Sequence, residues 1–392
     1  MADQFYFSRD TKLMITMGSG VFEVPILDGF SFSQAQNIQD ITFNEAADLS
    51  GNRNRAREAV VNSIAPAEWS FQTYIRPFKT LGTDAAGNAD RNGGANKHHL
   101  VEEVLWALLA GADTYTVTSG SADPAFTRDS NNVIAFSTST SGSSLNFTHS
   151  NKTTLGTADF TFMLGAHDAS TDKVYKITDC VVNEVTIDFD LDGIATASWS
   201  GFGTLITDEN TNAPTRTVFE DINATDNMIR NRLSAVKLTA ASTNTAADVA
   251  HVITLTGGSI TISNNITYLT PETLGQVNTP LGHVTGTRTV SGNLTCYLNA
   301  DGTTGSAGLF EDLVEDNKSL RKNSYNLQLF IGGESGSDVL SGPGLKITME
   351  TCHLEIPTHS FDDIISTEVN FHALPSTVAG TNEIGAIDIK GA

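Results

Sequence analysis

Apolar and polar residues alternate with period two over most of this chain, in short runs rich in Thr, Val, Ile and Phe. That alternation predicts half-buried strands. In the first half they fall at 12–16, 21–26, 30–33, 69–75, 160–164, 174–177 and 184–189. In the second half they fall at 251–255, 260–263, 293–298, 326–331, 345–349 and 367–371. A Gly18-Ser19-Gly20 turn joins the first two runs, and Pro25 marks a strand end or an edge. Helical spacing is rare. Leu100, Val104, Leu105, Leu108 and Leu109 share a helical face over 99–109, with Gly111 as a stop. A second helix is expected at 309–314, and 226–236 is a weaker third candidate. Residues 50–65, 82–97 and 207–217 read as loops, the last as a linker.

The halves follow one order. Residues 24–33 and Asn37-Ile38 parallel 252–261 and Asn265-Ile266. The run Trp69-Ser70-Phe71 parallels 292–294, the helix around Glu102 parallels that around Glu311, and Lys176-Ile177-Thr178 parallels Lys346-Ile347-Thr348. Position differences fall from 228 to 223, 209 and 170 without a change of order, as a tandem repeat with extra residues in its first copy requires. The expected division is a first module at 1–206 with an insertion at about 111–172, a linker at 207–217, and a second module at 218–392.

Charge narrows the function classes. The chain has 23 Lys and Arg against 45 Asp and Glu, a formal net charge of −22. Residues 1–210 hold 13 bases and 26 acids, net −13; the remainder holds 10 and 19, net −9. A groove that grips nucleic acid needs clustered cations, and so does an anionic membrane surface. Three cysteines fit neither a disulfide framework nor a metal-ligand spacing and are expected as buried thiols in a protein made in a cytoplasm. No secretion signal or long apolar span is read in the sequence.

Candidate chemistry is sparse, and no cofactor or enzyme motif appears. Asp188, Asp190, Asp192 and Gly193 have the opening spacing of a calcium loop, but position twelve is Trp199 where a bidentate Glu is needed. The same residues also read as a strand with one acidic face, ending in a turn. Arg53, Arg55 and Arg57 read as a solvated loop, a contact to acids of a neighbouring copy, or a small nucleic-acid patch. His98 and His99 read as a helix-start loop, Glu102 and Glu103 as solvent-facing, and the strand aromatics as core.

The order of hairpin, strands around a long loop, one helix and a closing hairpin resembles the phage tail tube proteins. The residues carrying the resemblance are Phe30-Ser31-Phe32-Ser33, Trp69-Ser70-Phe71, the run from Asp192 to Gly201, and Glu368-Val369-Asn370-Phe371-His372-Ala373. It spans nearly the whole chain. It implies a mainly β fold of two tandem β-sandwich or barrel modules, each with one packed α-helix, closing into a ring barrel on oligomerisation. It implies a virion protein without catalysis, a structural subunit of the conduit for genome ejection. The fused pair of modules implies homotrimeric rings with pseudo-sixfold symmetry. Partners would be further copies of itself, tail tip or baseplate and terminator proteins, and the tape measure protein and passing DNA in the lumen. On this reading Arg53, Arg55 and Arg57 are inter-ring contacts, and Asp188, Asp190, Glu350 and Glu355 are lumen-facing acids. The alternatives are a hexameric tube protein with one module plus a decoration domain, and a β-rich carbohydrate-binding protein or adhesin.

Overall fold

The computed structural model describes all residues except 1–4, 42–57, 81–96, 117–124, 129–131, 135, 139–141, 148–153, 166–171, 211, 219–226, 271–278, 300–302, 320–321, 336–337, 362, 379, 381 and 392. The alternating runs become strands, and every strand pairing among the described residues is antiparallel. The first half opens with β1 (Lys12–Met17), β2 (Gly20–Val24), β3 (Ser31–Ile41) and β4 (Glu58–Tyr74). Then come β5 (Pro77–Lys79), β6 (His98–Leu100) and α1 (Glu103–Ala110). Small strands follow: β7 (Thr114–Thr116), β8 (Ala125–Arg128), β9 (Asn132–Ile134), β10 (Phe136–Thr138) and β11 (Ser143–Asn146). The half closes with β12 (Ala158–Leu164), β13 (Lys173–Asp190), β14 (Thr196–Gly203) and β15 (Ile206–Asn210).

The second half holds β16 (Ala235–Ala240), β17 (Ala250–Ile253), β18 (Leu255–Ser263), β19 (Ile266–Leu269), β20 (Gly282–Thr285) and β21 (Thr289–Tyr297). After α2 (Ser306–Ser319) come β22 (Tyr325–Ile331), β23 (Glu334–Ser335), β24 (Val339–Leu340) and β25 (Gly344–Leu354). The chain ends with β26 (Thr358–Phe361), β27 (Ile365–Ala373) and β28 (Ala386–Lys390).

Pairing in one half recurs in the other. β1 lies between β2 and β12 as β16 lies between β17 and β22. β12 continues to β13 as β22 does to β25, and each pair has a register shift at its start. Cys180 and Cys352 stand beside those shifts, opposite Ala158 and Tyr325. Both thiols are free, buried and pushed to high pKa by burial. β14 pairs with β4, and β4 with β3, as β27 pairs with β21, and β21 with β18. By this correspondence Ser31 answers to Ser259 and Trp69 to Gly292, the offsets of 228 and 223 seen in the sequence.

Several local expectations change. Residues 58–65 are not loop but the first part of a 17-residue strand. The runs at 174–177 and 184–189 belong to one strand of 18 residues. The weak helix candidate gives a short 3-10 turn (Asn231–Leu233) and then β16. The expected linker begins as β15, paired with β13, and then follows β2, where Thr217 and Val218 N–H groups donate to the Val21 carbonyl. β12, inside the expected insertion, takes the sandwich place that β22 takes in the second half.

His98 and His99 lie on β6 and are buried with Glu102 and Glu103, so these carboxylates do not face solvent. The cause is α1 itself. Its apolar residues go all the way round, which marks a helix buried on every side. Gly111, at φ 105°, ends it by donating to Ala107 and Leu108 carbonyls. His99 Nδ1 lies 2.8 Å from Glu103 Oε2. Burial pushes the Glu102 carboxyl up to about 7. Apolar side chains of both halves form one continuous core, with Trp106 set edge-on to Trp199 at 5.0 Å. β28 closes it, bridging β25 to β11.

Candidate functional site: the polar face of the central sheet

Eight segments make one continuous antiparallel sheet in the order β3, β4, β14, β13, β18, β21, β27, β26. Side chains alternate across it. On one face Phe71, Trp199, Val185, Ile262, Val290 and Ala373 run through consecutive strands into the core. The other face is polar. One cross-strand row is Tyr74, Thr196, Asp188, Ser259, Asn293 and Asn370. The next is Gln72, Ser198, Thr186, Thr261, Ser291 and His372. A third is Ser31, Ser70, Ser200, Glu184, Ser263 and Thr289. None of the three contains Lys or Arg.

These groups satisfy one another. Gln72 Nε2 donates to Ser198 Oγ at 3.0 Å, and the Thr186 and Thr261 hydroxyls stand 3.1 Å apart. Ser259 Oγ donates to Asn293 Oδ1 at 3.0 Å, while Asn293 Nδ2 donates to Glu368 Oε1 at 2.9 Å. The face is therefore a set of short hydroxyls, amides and carboxylates held in place by their neighbours.

Three of the four acids expected on one surface meet here. Asp188 and Asp190 project from β13 on the polar side and are exposed. Glu355 follows β25 and reaches the same face, where Asn370 Nδ2 donates to it at 3.1 Å and His372 Nε2 lies at 3.2 Å. The Asn370 hydrogen bond, then that of His372, holds its carboxyl below the usual range. Glu350 lies elsewhere, beside Asn382 of the C-terminal segment at 3.4 Å. Glu184 and Glu368 belong to the face as well; the sequence reading put both on strands without marking them as acids of this surface, and the alternation of polar with apolar residues around them was the available signal.

The calcium spacing does not close on an ion. Asp192 turns away to Arg232, whose Nη2 lies 2.8 Å from its carboxylate, and its own N–H donates to Asp190. No cluster able to hold a metal occurs among the described residues. Arg53, Arg55 and Arg57 lie outside the described residues. The strands that flank them form a long hairpin, β3 with β4, and β19 with β20 forms the corresponding hairpin of the second half.

A surface of this composition has no cations with which to displace counterions from a polyanion. Its carboxylates repel one instead, and several of its hydrogen-bonding groups are already partnered. The phage tail tube protein family model matches residues 38–373. The tail tube protein pb6 of Escherichia phage T5 is 30% identical over 370 residues, which cover 92% of this chain and 69% of that protein.

Proposed function

The chain belongs to the phage tail tube protein family, and on that premise we propose that three copies form a ring, that rings stack into a tube, and that the polar face lines its bore. The family is structural and non-enzymatic, its members are virion components, and the carbohydrate-binding alternative falls with that. The two halves are read as a duplicated module, with β7–β11 as the extra residues of the first. Six like modules then surround the axis, giving pseudo-sixfold symmetry from three chains.

The observation that carries this reading is the continuous eight-stranded sheet with one apolar and one polar face. Three such sheets give twenty-four strands. With strands about 4.8 Å apart and tilted by about 35–45°, a closed barrel of that size measures roughly 45–52 Å between backbone walls. Its inner surface would be Ser, Thr, Asn and carboxylates, over which DNA slides without being held. Tape measure protein before ejection and DNA during it would occupy the bore. Tail tip or baseplate and terminator proteins would cap the ends. The two hairpins, with Arg53, Arg55 and Arg57 in the first, would reach the adjacent ring, where rim charges fix register.

Averaged electron micrographs of the purified protein test the reading. Hollow tubes built of threefold rings with six similar lobes are expected. Sixfold rings of the full chain would reject the trimer, and a protein that never forms rings or tubes would reject the conduit.

A further inference from the structure

The central sheet ends on two strands, each with a neighbouring strand on one side only among the described residues: β3 beside β4, and β26 beside β27. Within the chain the corresponding junction is already made once. β18, the counterpart of β3, runs antiparallel along residues 184–190 of β13. Residues 186–189 of β13 are the counterpart of β26: Thr186 stands opposite Ser198, three residues before Gly201, and Thr358 stands opposite Glu368, three residues before Phe371. Gly201 and Phe371 hold equivalent places, opposite Trp69 and Gly292. Phe32, opposite Trp69, likewise answers to Ile260, opposite Gly292.

We propose that β3 of one copy pairs antiparallel with β26 of the next in the register of the internal junction, with Phe32 opposite His359 and Ser33 opposite Thr358. This inference rests on the ring reading and names the joint that closes the ring. The internal junction places Ile187 opposite Ile260 and Thr186 opposite Thr261. The first pair is buried, and the second shares a hydroxyl contact of 3.1 Å. Ser33 and Thr358 keep a hydroxyl on each side. Phe32 and His359 are half-buried in the single chain, and Phe361, which would face Phe30, is 77% exposed. An apolar residue on a strand edge without charge or proline leaves a template on which another strand can pair. Neither 31–34 nor 358–361 contains a charged residue or a proline, the usual devices that keep edges apart. The contact is head to tail, so it propagates until it closes.

Disulfide trapping distinguishes this joint from other contacts. The natural thiols are buried and compete little. In a chain carrying Ser33→Cys and Thr358→Cys, mild oxidation of assembled protein should give covalent oligomers up to the closed ring, because directly opposed strand residues lie within disulfide reach. The Ser31→Cys, Thr358→Cys pair, two residues out of register, should cross-link at least tenfold less. Cross-linked dimers from Ser33→Cys alone would mean that β3 pairs with itself and would overturn the proposal. Rings seen by microscopy but not trapped by the in-register pair overturn the joint while leaving the ring reading intact; absence of rings from the unaltered protein overturns both. Hydrogen exchange on the unaltered chain needs no variant. Amides of 31–34 and 358–361 should slow at least tenfold on assembly, and unchanged exchange would refute the pairing.

Discussion

Lysine at both Asp188 and Asp190 should turn an indifferent bore into one that holds DNA. Both side chains are exposed on the polar face, so neither replacement disturbs the core. Asp190 gives up one hydrogen bond from the Asp192 N–H, a loss of about 1 kcal/mol. In the proposed ring of three, two lysines per chain put six where there would be six carboxylates. Each lysine that meets a phosphate releases about one counterion and adds about 0.9 to the slope of log affinity against log salt. If three to six engage a duplex at a time, affinity should fall roughly fortyfold to two-thousandfold between 50 and 200 mM salt. The assay is co-sedimentation of a short labelled duplex with open-ended tubes, whose integrity is checked by microscopy. Nuclease separates the sites, since DNA inside the bore is protected and DNA on the outer wall is not. Unaltered tubes should retain almost none. Salt-dependent, nuclease-resistant binding by unaltered tubes would refute the reasoning, and so would variant tubes that bind only nuclease-accessible DNA.

Glu102→Gln should raise stability near pH 8. Burial lifts the folded carboxyl to about 7 from 4.5, so the folded state holds the proton more tightly and loses stability as pH rises through that interval; the span corresponds to about 3 kcal/mol, and denaturant melts at pH 5 and pH 8 should show it vanish in the variant. Phe371→Ala removes a fully buried ring and should lower unfolding free energy by about 3–5 kcal/mol in the same assay. Gly292→Ala should cost at least about 2 kcal/mol, because its Cβ would stand 2.1 Å from the Ser259 carbonyl oxygen and 2.7 Å from the Phe371 ring; a loss under about 0.5 kcal/mol would contradict that geometry. Reversing charge at Arg53, Arg55 and Arg57 should leave rings intact by mass spectrometry but shorten or abolish tubes in micrographs.

Period two was the strongest signal in the sequence because these strands have one apolar and one polar face, and Trp69, Phe71, Val185 and Ile187 alternate with Ser70, Gln72, Thr186 and Asp188. The common order of the two halves was legible for the same reason. Its last offset was two residues out, since Lys176-Ile177-Thr178 aligns by identity with Lys346-Ile347-Thr348, whereas the pairing aligns Cys180 with Cys352. A slip of two keeps every side chain on its own face, so alternation alone could not expose it. The environment of Glu102 and Glu103 was hidden by their polarity. The informative feature was the helix that follows, apolar on every side, which obliges its first turn to be buried too. Glu355 shares the polar face with Asp188 and Asp190, and its partners Asn370 and His372 come from a different strand, a contact that only the fold supplies.

The two halves solve one packing problem in opposite ways. Trp69 on β4 lies directly across from Gly201 on β14; at the corresponding pair in the second half the glycine is Gly292 on β21 and the ring is Phe371 on β27. A Cβ on Gly201 would meet the Trp69 ring at 2.4 Å, and one on Gly292 would meet the Phe371 ring at 2.7 Å. Each aromatic therefore covers a glycine across the strand, and the exchange between strands keeps one large and one vanishing side chain at the site. A ring over a glycine lets neighbouring strands bend and still fills the apolar side, which is what a sheet needs if it is to curve with its polar face inward. The constraint acts on the pair and not on the position, so residue identity is lost between the halves while volume is kept. That explains why 69–71 and 292–294 resemble each other in alternation more than in composition, and why the shared architecture shows in register before it shows in sequence.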